Sequence, residues 1–151
     1  MLNKALFTSG REDWETPQDL FDELNNEFGF TLDPCAMPET AKCAKYYTPS
    51  EDGLTRDWTG EVVFCNPPYS RGKQDAWIRK CAEHSANGGV AVLLLPVRTD
   101  TARFHDLILG KAEIRFLRGR LKFSRVKTRA PFPSMVVVFR NNNNTTTRRN
   151  K

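Results

Sequence analysis

The sequence predicts an α/β protein built on a mixed, mostly parallel sheet with helices on both faces. First, residues 90–95 are six consecutive apolar residues between Gly89 and Pro96, the pattern of a strand covered on both faces in a parallel sheet. Second, short β-branched or aromatic runs alternate with amphipathic stretches, the order expected when helices pack on a sheet. Third, two of those runs stop at proline-bearing turns, Asp33-Pro34 and Asn66-Pro67-Pro68-Tyr69, and the carboxyl ends of strands are where open α/β sheets place ligands. A chain of 151 residues fits one domain of roughly 100–150 residues with one core. That domain is expected at 14–140, after a flexible N-terminal arm at 1–13 and before a disordered basic tail at 141–151, which lacks any apolar anchor.

In chain order, Thr16 is expected to cap the first helix with Pro17 at its first position. Leu20, Phe21, Leu24 and Phe28 then recur at helical spacing up to Gly29. Phe30, Thr31 and Leu32 form a short strand that ends at Asp33-Pro34, because proline has no N–H for a ladder and biases the residue before it to an extended conformation. Residues 36–60 are irregular, broken by Pro38, Pro49 and Gly53, with 41–47 either a short helix or a strand. Val62-Val63-Phe64-Cys65 is the next strand, and two successive prolines end it. A helix over 74–86 stops at Gly88-Gly89. Beyond the 90–95 strand, Thr99 or Asp100 caps a helix that carries Phe104, Leu107 and Ile108 and ends at Gly110. Residues 113–117 and 135–139 read as two further strands.

The longest apolar stretch, 90–97, falls far short of the ~20 residues of a membrane-spanning helix. Residues 1–10 lack the apolar core of a signal peptide, so a soluble, cytoplasmic protein with no membrane partner is expected. Cys35, Cys43, Cys65 and Cys81 contain no C-x-x-C pair and read as reduced thiols. Cys81 and His84 share a helix face but have no second ligand pair nearby, so no metal site is expected.

Charge is unevenly divided: residues 1–97 hold 9 basic and 15 acidic residues, whereas 98–151 hold 14 and 3. Between Lys111 and Arg129, Arg115, Arg118, Arg120, Lys122, Arg125 and Lys127 are opposed only by Glu113. Such an excess attracts a phosphate backbone, or else simply forms a solvated basic face. Arg118, Arg120, Lys122, Arg125 and Lys127 are the candidate phosphate-backbone contacts, centred on Arg120, Lys122 and Arg125.

Asn66-Pro67-Pro68-Tyr69 carries the chemistry. The Asn66 side-chain oxygen and the Pro67 carbonyl, held by the rigid diproline, can each accept one hydrogen of an exocyclic amine. Two acceptors on one planar amine draw its nitrogen toward tetrahedral geometry and localise its lone pair. Tyr69 offers a ring on which the base can stack, a contact worth ~1–3 kcal/mol. The competing reading is a plain strand-ending turn. No cysteine stands in the Pro-Cys context that cytosine C5 chemistry requires.

These residues resemble the bacteriophage DNA N6-adenine methyltransferases, the Dam-like group of S-adenosylmethionine-dependent amino-methyltransferases. Besides the Asn66 loop, the resemblance rests on Trp14-Glu15-Thr16-Pro17, Leu32-Asp33-Pro34-Cys35-Ala36, Asp52-Gly53-Leu54 with Trp58, Leu95-Pro96 with Arg98-Thr99-Asp100-Thr101, and Gly119-Arg120-Leu121-Lys122-Phe123. It covers most of the chain. It implies an abridged Rossmann-like methyltransferase fold, S-adenosyl-L-methionine as cofactor, and double-stranded DNA as partner. The implied reaction moves a methyl group to the amine of a flipped adenine. Asn66, Pro67, Pro68 and Tyr69 would be catalytic, and Trp14, Thr16, Pro17, Asp33, Pro34, Cys35, Ala36 and Asp52 would bind the cofactor. Asp33 and Asp52 have a plainer reading as turn residues. Methylation of another amine, on an RNA base or a protein glutamine, and a non-catalytic DNA-binding module are the alternatives. Two departures stand out: residues 33–36 lack a Gly-x-Gly, and only the 28 residues 34–61 separate the first strand from the catalytic one. The sheet should be shortened there, with the cofactor pocket either more open or completed by the segment containing Trp14.

Overall fold

The computed structural model describes residues 14–70 and 72–141, and the backbone of 147–150. The N-terminal arm expected at 1–13 lies outside the described residues. Helix α1 spans Gln18–Phe28 and buries Leu20, Phe21 and Leu24. Gly29 ends it at φ 70°, its N–H bonding back to the Asn25 carbonyl at 2.8 Å, a left-handed closure that glycine adopts without a side-chain clash. Strands β1 (Leu32–Asp33) and β2 (Lys45–Tyr46) follow, then a 3-10 turn at Gly53–Thr55, β3 (Val62–Cys65), helix α2 (Gln74–Ala86) and β4 (Val90–Pro96). A π-helical turn at Phe104–Ile108 precedes β5 (Glu113–Leu117), β6 (Ser134–Arg140) and β7 (Thr147–Asn150).

The strands form one mixed sheet in the order β2-β1-β3-β4-β6-β5-β7. Pairing is parallel from β2 to β4 and again between β5 and β7, and antiparallel where β6 inserts between β4 and β5. Alternate residues of β3 and β4 feed two cores. Phe64, Val92 and Leu94 face α1, whereas Val63, Cys65, Ala91, Leu93 and Leu95 face α2 and the π-helical turn. The six-residue apolar run of β4 is thus covered on both faces, with helices on each side.

Between β1 and β3 the chain makes one two-residue strand and one 3-10 turn, with no α-helix, so this crossover is abridged although the sheet itself runs to seven strands. The ambiguous 41–47 segment resolves as β2, with Leu32 opposite Lys45.

Four expectations need correction. Thr16 does not cap α1: the cap position is Pro17, whose carbonyl accepts from the Phe21 N–H and which has no side-chain cap bond, and the Thr16 hydroxyl accepts from Asn66 instead. Neither Thr99 nor Asp100 caps the segment before β5. The Thr101 hydroxyl does so, accepting from the Phe104 N–H at 3.2 Å, and the Leu109 N–H bonds to the Phe104 carbonyl, five residues back, to make the turn π-helical. Within the expected disordered tail, Thr147–Asn150 pairs along β5; an edge strand pairs through backbone groups, so that contact needs no apolar anchor. Finally, Arg115 leaves the basic surface. It is 1% exposed, gripping Glu27 bidentately at 2.7 Å and Glu113 at 2.7 Å, while Arg140 bonds Glu113 from β6. This network ties the end of α1 to β5 and β6.

Candidate active site

The site lies at the carboxyl ends of β1 and β3. Cys65, the last residue of β3, is fully buried, and the prolines that follow turn the chain so that the Asn66 side chain meets the segment before α1. Its Nδ2 donates to the Trp14 carbonyl and, at 3.0 Å, to the Thr16 hydroxyl. A carbonyl can only accept, so the amide is fixed with nitrogen toward Trp14 and oxygen away from it. Asn66 Oδ1 is buried and has no hydrogen-bond partner among the described residues. Leaving such an acceptor unmet costs about 1–3 kcal/mol.

Tyr69 is half-buried. Its hydroxyl donates to the Leu94 carbonyl at 3.2 Å, and its ring packs edge-on against Phe123 and Phe132, with centroids 6.4 and 5.6 Å away. Burial pushes the phenol above its ordinary range, so it stays protonated. Trp14 completes the aromatic group, 5.2 Å from Phe123 and 5.5 Å from Phe132. Phe123, fully buried, is the anchor that sequence reading missed. It sits in a run whose charged residues drew attention to the surface, although an aromatic flanked by Leu121 and Val126 was the available signal.

Two adjoining cavities open beside this loop. One, of about 280 Å³, is walled by Trp14, Glu15, Thr16, Asp33, Cys35, Ala36, Lys42, Asn66 and Pro68. The other, of about 450 Å³, is walled by Pro34, Cys35, Asp52, Gly53, Pro68 and Trp77. Cys35, Pro49 and Pro68 belong to both. Their joint size is that of a small-molecule site, roughly 300–1,000 Å³. Of the residues named for the cofactor, Trp14, Thr16, Asp33, Pro34, Cys35, Ala36 and Asp52 come together here. Pro17 does not: it opens α1, where its carbonyl accepts from the Phe21 N–H.

Asp33 is 4% exposed and accepts from the Lys42 N–H at 3.0 Å. Burial raises its carboxyl to about 7, opposed by backbone hydrogen bonds from Lys42 and Cys35. Asp52 adopts the left-handed conformation at φ 53°, uncommon for a residue with a side chain and frequent at binding sites. It is exposed, and one of its oxygens accepts from the Leu54 N–H at 3.3 Å. Gly53 packs directly on the Asp33-Pro34 turn, where a Cβ would lie 2.1 Å from the Pro34 carbonyl oxygen. The Gly53 carbonyl in turn accepts from the buried Trp58 indole at 3.0 Å. Lys42, which the sequence did not single out, pairs at 3.4 Å with Glu15 of the Trp14-Glu15-Thr16-Pro17 motif in the cavity wall.

The basic segment runs from the end of β5 to the rim of the cleft. Arg118, Arg120, Lys122, Arg125 and Lys127 are all exposed. Arg125 pairs with Glu15 at 2.9 Å, and the Lys122 ammonium donates to the Val126 carbonyl. Of these five, Arg125 alone has a carboxylate partner among the described residues. Cys81 lies in the core behind β3 and β4, and the His84 ring nitrogen is 2.9 Å from the Glu61 carbonyl. None of the four cysteines forms a disulfide among the described residues. No helix among the described residues is long and apolar enough to cross a membrane.

The mixed α/β sheet, with an Asn-Pro-Pro-Tyr loop beside a cleft of small-molecule size, sets the class of fold and site, and comparison with known proteins narrows it. Residues 4–150 match the family described as DNA N-6-adenine-methyltransferase (Dam), and the chain belongs to that family. It is 32% identical over 113 residues to the DNA N-6-adenine-methyltransferase of Escherichia phage T1, covering 74% of this chain and 47% of the phage protein. It is 30% identical over 139 residues to the protein of that name from Haemophilus phage HP1, covering 87% of this chain and 80% of the relative. The chain thus spans about half the length of the first relative and four-fifths of the second.

Proposed function

We propose that this chain is a DNA adenine-N6 methyltransferase that uses S-adenosyl-L-methionine. Its architecture is read as an abridged Rossmann-like methyltransferase fold, supported by the parallel strands β2-β1-β3-β4 and by the cleft at their carboxyl ends. The observation that carries the reading is Asn66 Oδ1, a buried acceptor aimed away from the groups that fix its amide and lacking a partner among the described residues. An exocyclic amine supplies the missing N–H.

The residues around the cleft fit the cofactor. S-Adenosylmethionine carries an ammonium, ribose hydroxyls and an adenine amine, which call for acceptors, and the cleft offers the carboxyl oxygens of Asp33 and Asp52. Bound there, it would supply an electrophilic methyl group on sulfonium. Asn66 Oδ1 and the Pro67 carbonyl accept the two amine hydrogens and localise the nitrogen lone pair toward that methyl. Tyr69, anchored through its hydroxyl, presents its ring to the base without ionising. A base inside a duplex cannot reach such a cleft, so the adenine of double-stranded DNA is flipped out at a cost of a few kcal/mol. Arg118, Arg120, Lys122, Arg125 and Lys127 supply phosphate contacts that offset this cost. The setting is the cytoplasm, where the DNA lies.

Removing the acceptor tests the reading. Asn66→Ala should fold, bind the cofactor and lose methyl transfer from labelled S-adenosylmethionine to adenine-containing DNA. Undiminished transfer by a folded Asn66→Ala protein would refute it.

A further inference from the structure

The segment Trp14-Glu15-Thr16 links the aromatic cluster, the basic loop and Asn66. We infer that it is a positioning strap, and that Thr16 acts through the Asn66 amide rather than on the cofactor. This inference rests on the methyltransferase reading above.

The geometry is specific. Thr16 is 3% exposed, and its hydroxyl, with the Trp14 carbonyl, takes both donors of the Asn66 amide. Were the amide to turn over, its oxygen would face the Trp14 carbonyl and its NH2 would face the substrate amine, which needs an acceptor. The two bonds therefore select the one orientation that presents Oδ1. The strap is itself held in place. Its Glu15 carbonyl accepts from the Ser124 N–H at 3.0 Å, in an antiparallel bridge. The Glu15 carboxylate pairs with Arg125 at 2.9 Å and with Lys42 at 3.4 Å, and Trp14 lies against Phe123. The loop proposed to meet DNA is thereby connected to the acceptor by one short segment.

Asparagine is consequently required at position 66, because it must donate to Trp14 while accepting from substrate. A carboxylate there has no hydrogen for the Trp14 carbonyl and would face it with like partial charge.

The test compares Thr16→Val, Thr16→Ser and Asn66→Asp with the parent protein. Thr16→Val should lower kcat about tenfold, since small misplacement of a reacting group is costly, with Kd for S-adenosylmethionine and for a DNA duplex within about twofold of the parent. Thr16→Ser, which keeps the hydroxyl, should restore turnover. Asn66→Asp should lose at least about tenfold at pH 8. Independently of activity, hydrogen exchange of the Asn66 side-chain amide by NMR should be slow in the parent and faster in Thr16→Val. If valine is not accommodated, Thr16→Ala, which adds no volume, carries the same expectations. The inference is overturned if Thr16→Val turns over normally, if its defect lies entirely in cofactor binding, if serine fails to rescue, if Asn66→Asp is fully active, or if the amide exchanges equally in parent and variant. Failure of the parent to methylate DNA at all would instead count against the methyltransferase reading, while the exchange experiment still decides the strap.

Discussion

Gly53→Ala is the most informative structural perturbation, because this glycine is required by space and not by its backbone angle. The added Cβ would lie 2.1 Å from the Pro34 carbonyl oxygen and 3.1 Å from the Trp77 ring. Carbon and oxygen pack comfortably at a little over 3 Å, so the Asp52-Gly53 turn must withdraw from the Asp33-Pro34 turn by roughly 1 Å. Backbone on both sides makes the shift expensive, and overpacking of this kind costs about 1–3 kcal/mol. The same shift stretches the buried Trp58-to-Gly53 hydrogen bond, worth about 1 kcal/mol more. Destabilisation of about 2–4 kcal/mol is therefore expected in urea denaturation. Because Asp52 and Pro34 wall the same cavity, calorimetry should also show weaker S-adenosylmethionine binding. A variant within 0.5 kcal/mol or so of the parent, binding cofactor normally, would refute the close approach as the reason for glycine.

Three other outcomes follow from the structure. Burial holds the Asp33 carboxyl at about 7 against its ordinary 3.8, so the folded state binds more protons than the unfolded chain between those values and loses stability as pH rises through them. Asp33→Asn should remove that loss, so its stability relative to the parent should grow by up to about 4 kcal/mol from pH 4 to pH 7 in denaturant titrations; a pH-independent difference would contradict the cause assigned. Arg120→Gln should reduce the slope of log K for duplex binding against log salt by about 0.9, while Arg125→Gln, already paired with Glu15, should change it less; equal effects would remove the distinction between free and paired cations. Phe123→Ala should cost about 3–5 kcal/mol, read from chemical denaturation, because a fully buried ring is lost; a loss under 1 kcal/mol or so would deny it an anchoring role.

Much of the fold was legible because it depends on period and punctuation. The β4 run, the Asn66-Pro67 strand end and the α2 boundaries came through since apolar continuity and proline act locally. The helix-free connection from β1 to β3 followed from counting the residues between two strands. Long-range partners were not legible. Arg115 looks like its basic neighbours until Glu27, 88 residues away in sequence, is brought against it. Thr16 looks like a helix cap until Asn66 arrives from 50 residues further along. β7 was missed because edge pairing uses backbone groups that every sequence carries. Within the site, residue types and strand ends located the loop and the cleft walls, whereas the orientation of the Asn66 amide required coordinates.

The central claim is that Asn66 presents its oxygen to the amine of adenine, and nucleoside analysis tests it most directly. A defined duplex is methylated with isotopically labelled S-adenosylmethionine, digested to nucleosides and separated by mass spectrometry. Label is expected in N6-methyldeoxyadenosine alone, and none with Asn66→Ala. Label in a methylated cytosine or in protein, or equal yields from parent and variant, would contradict it.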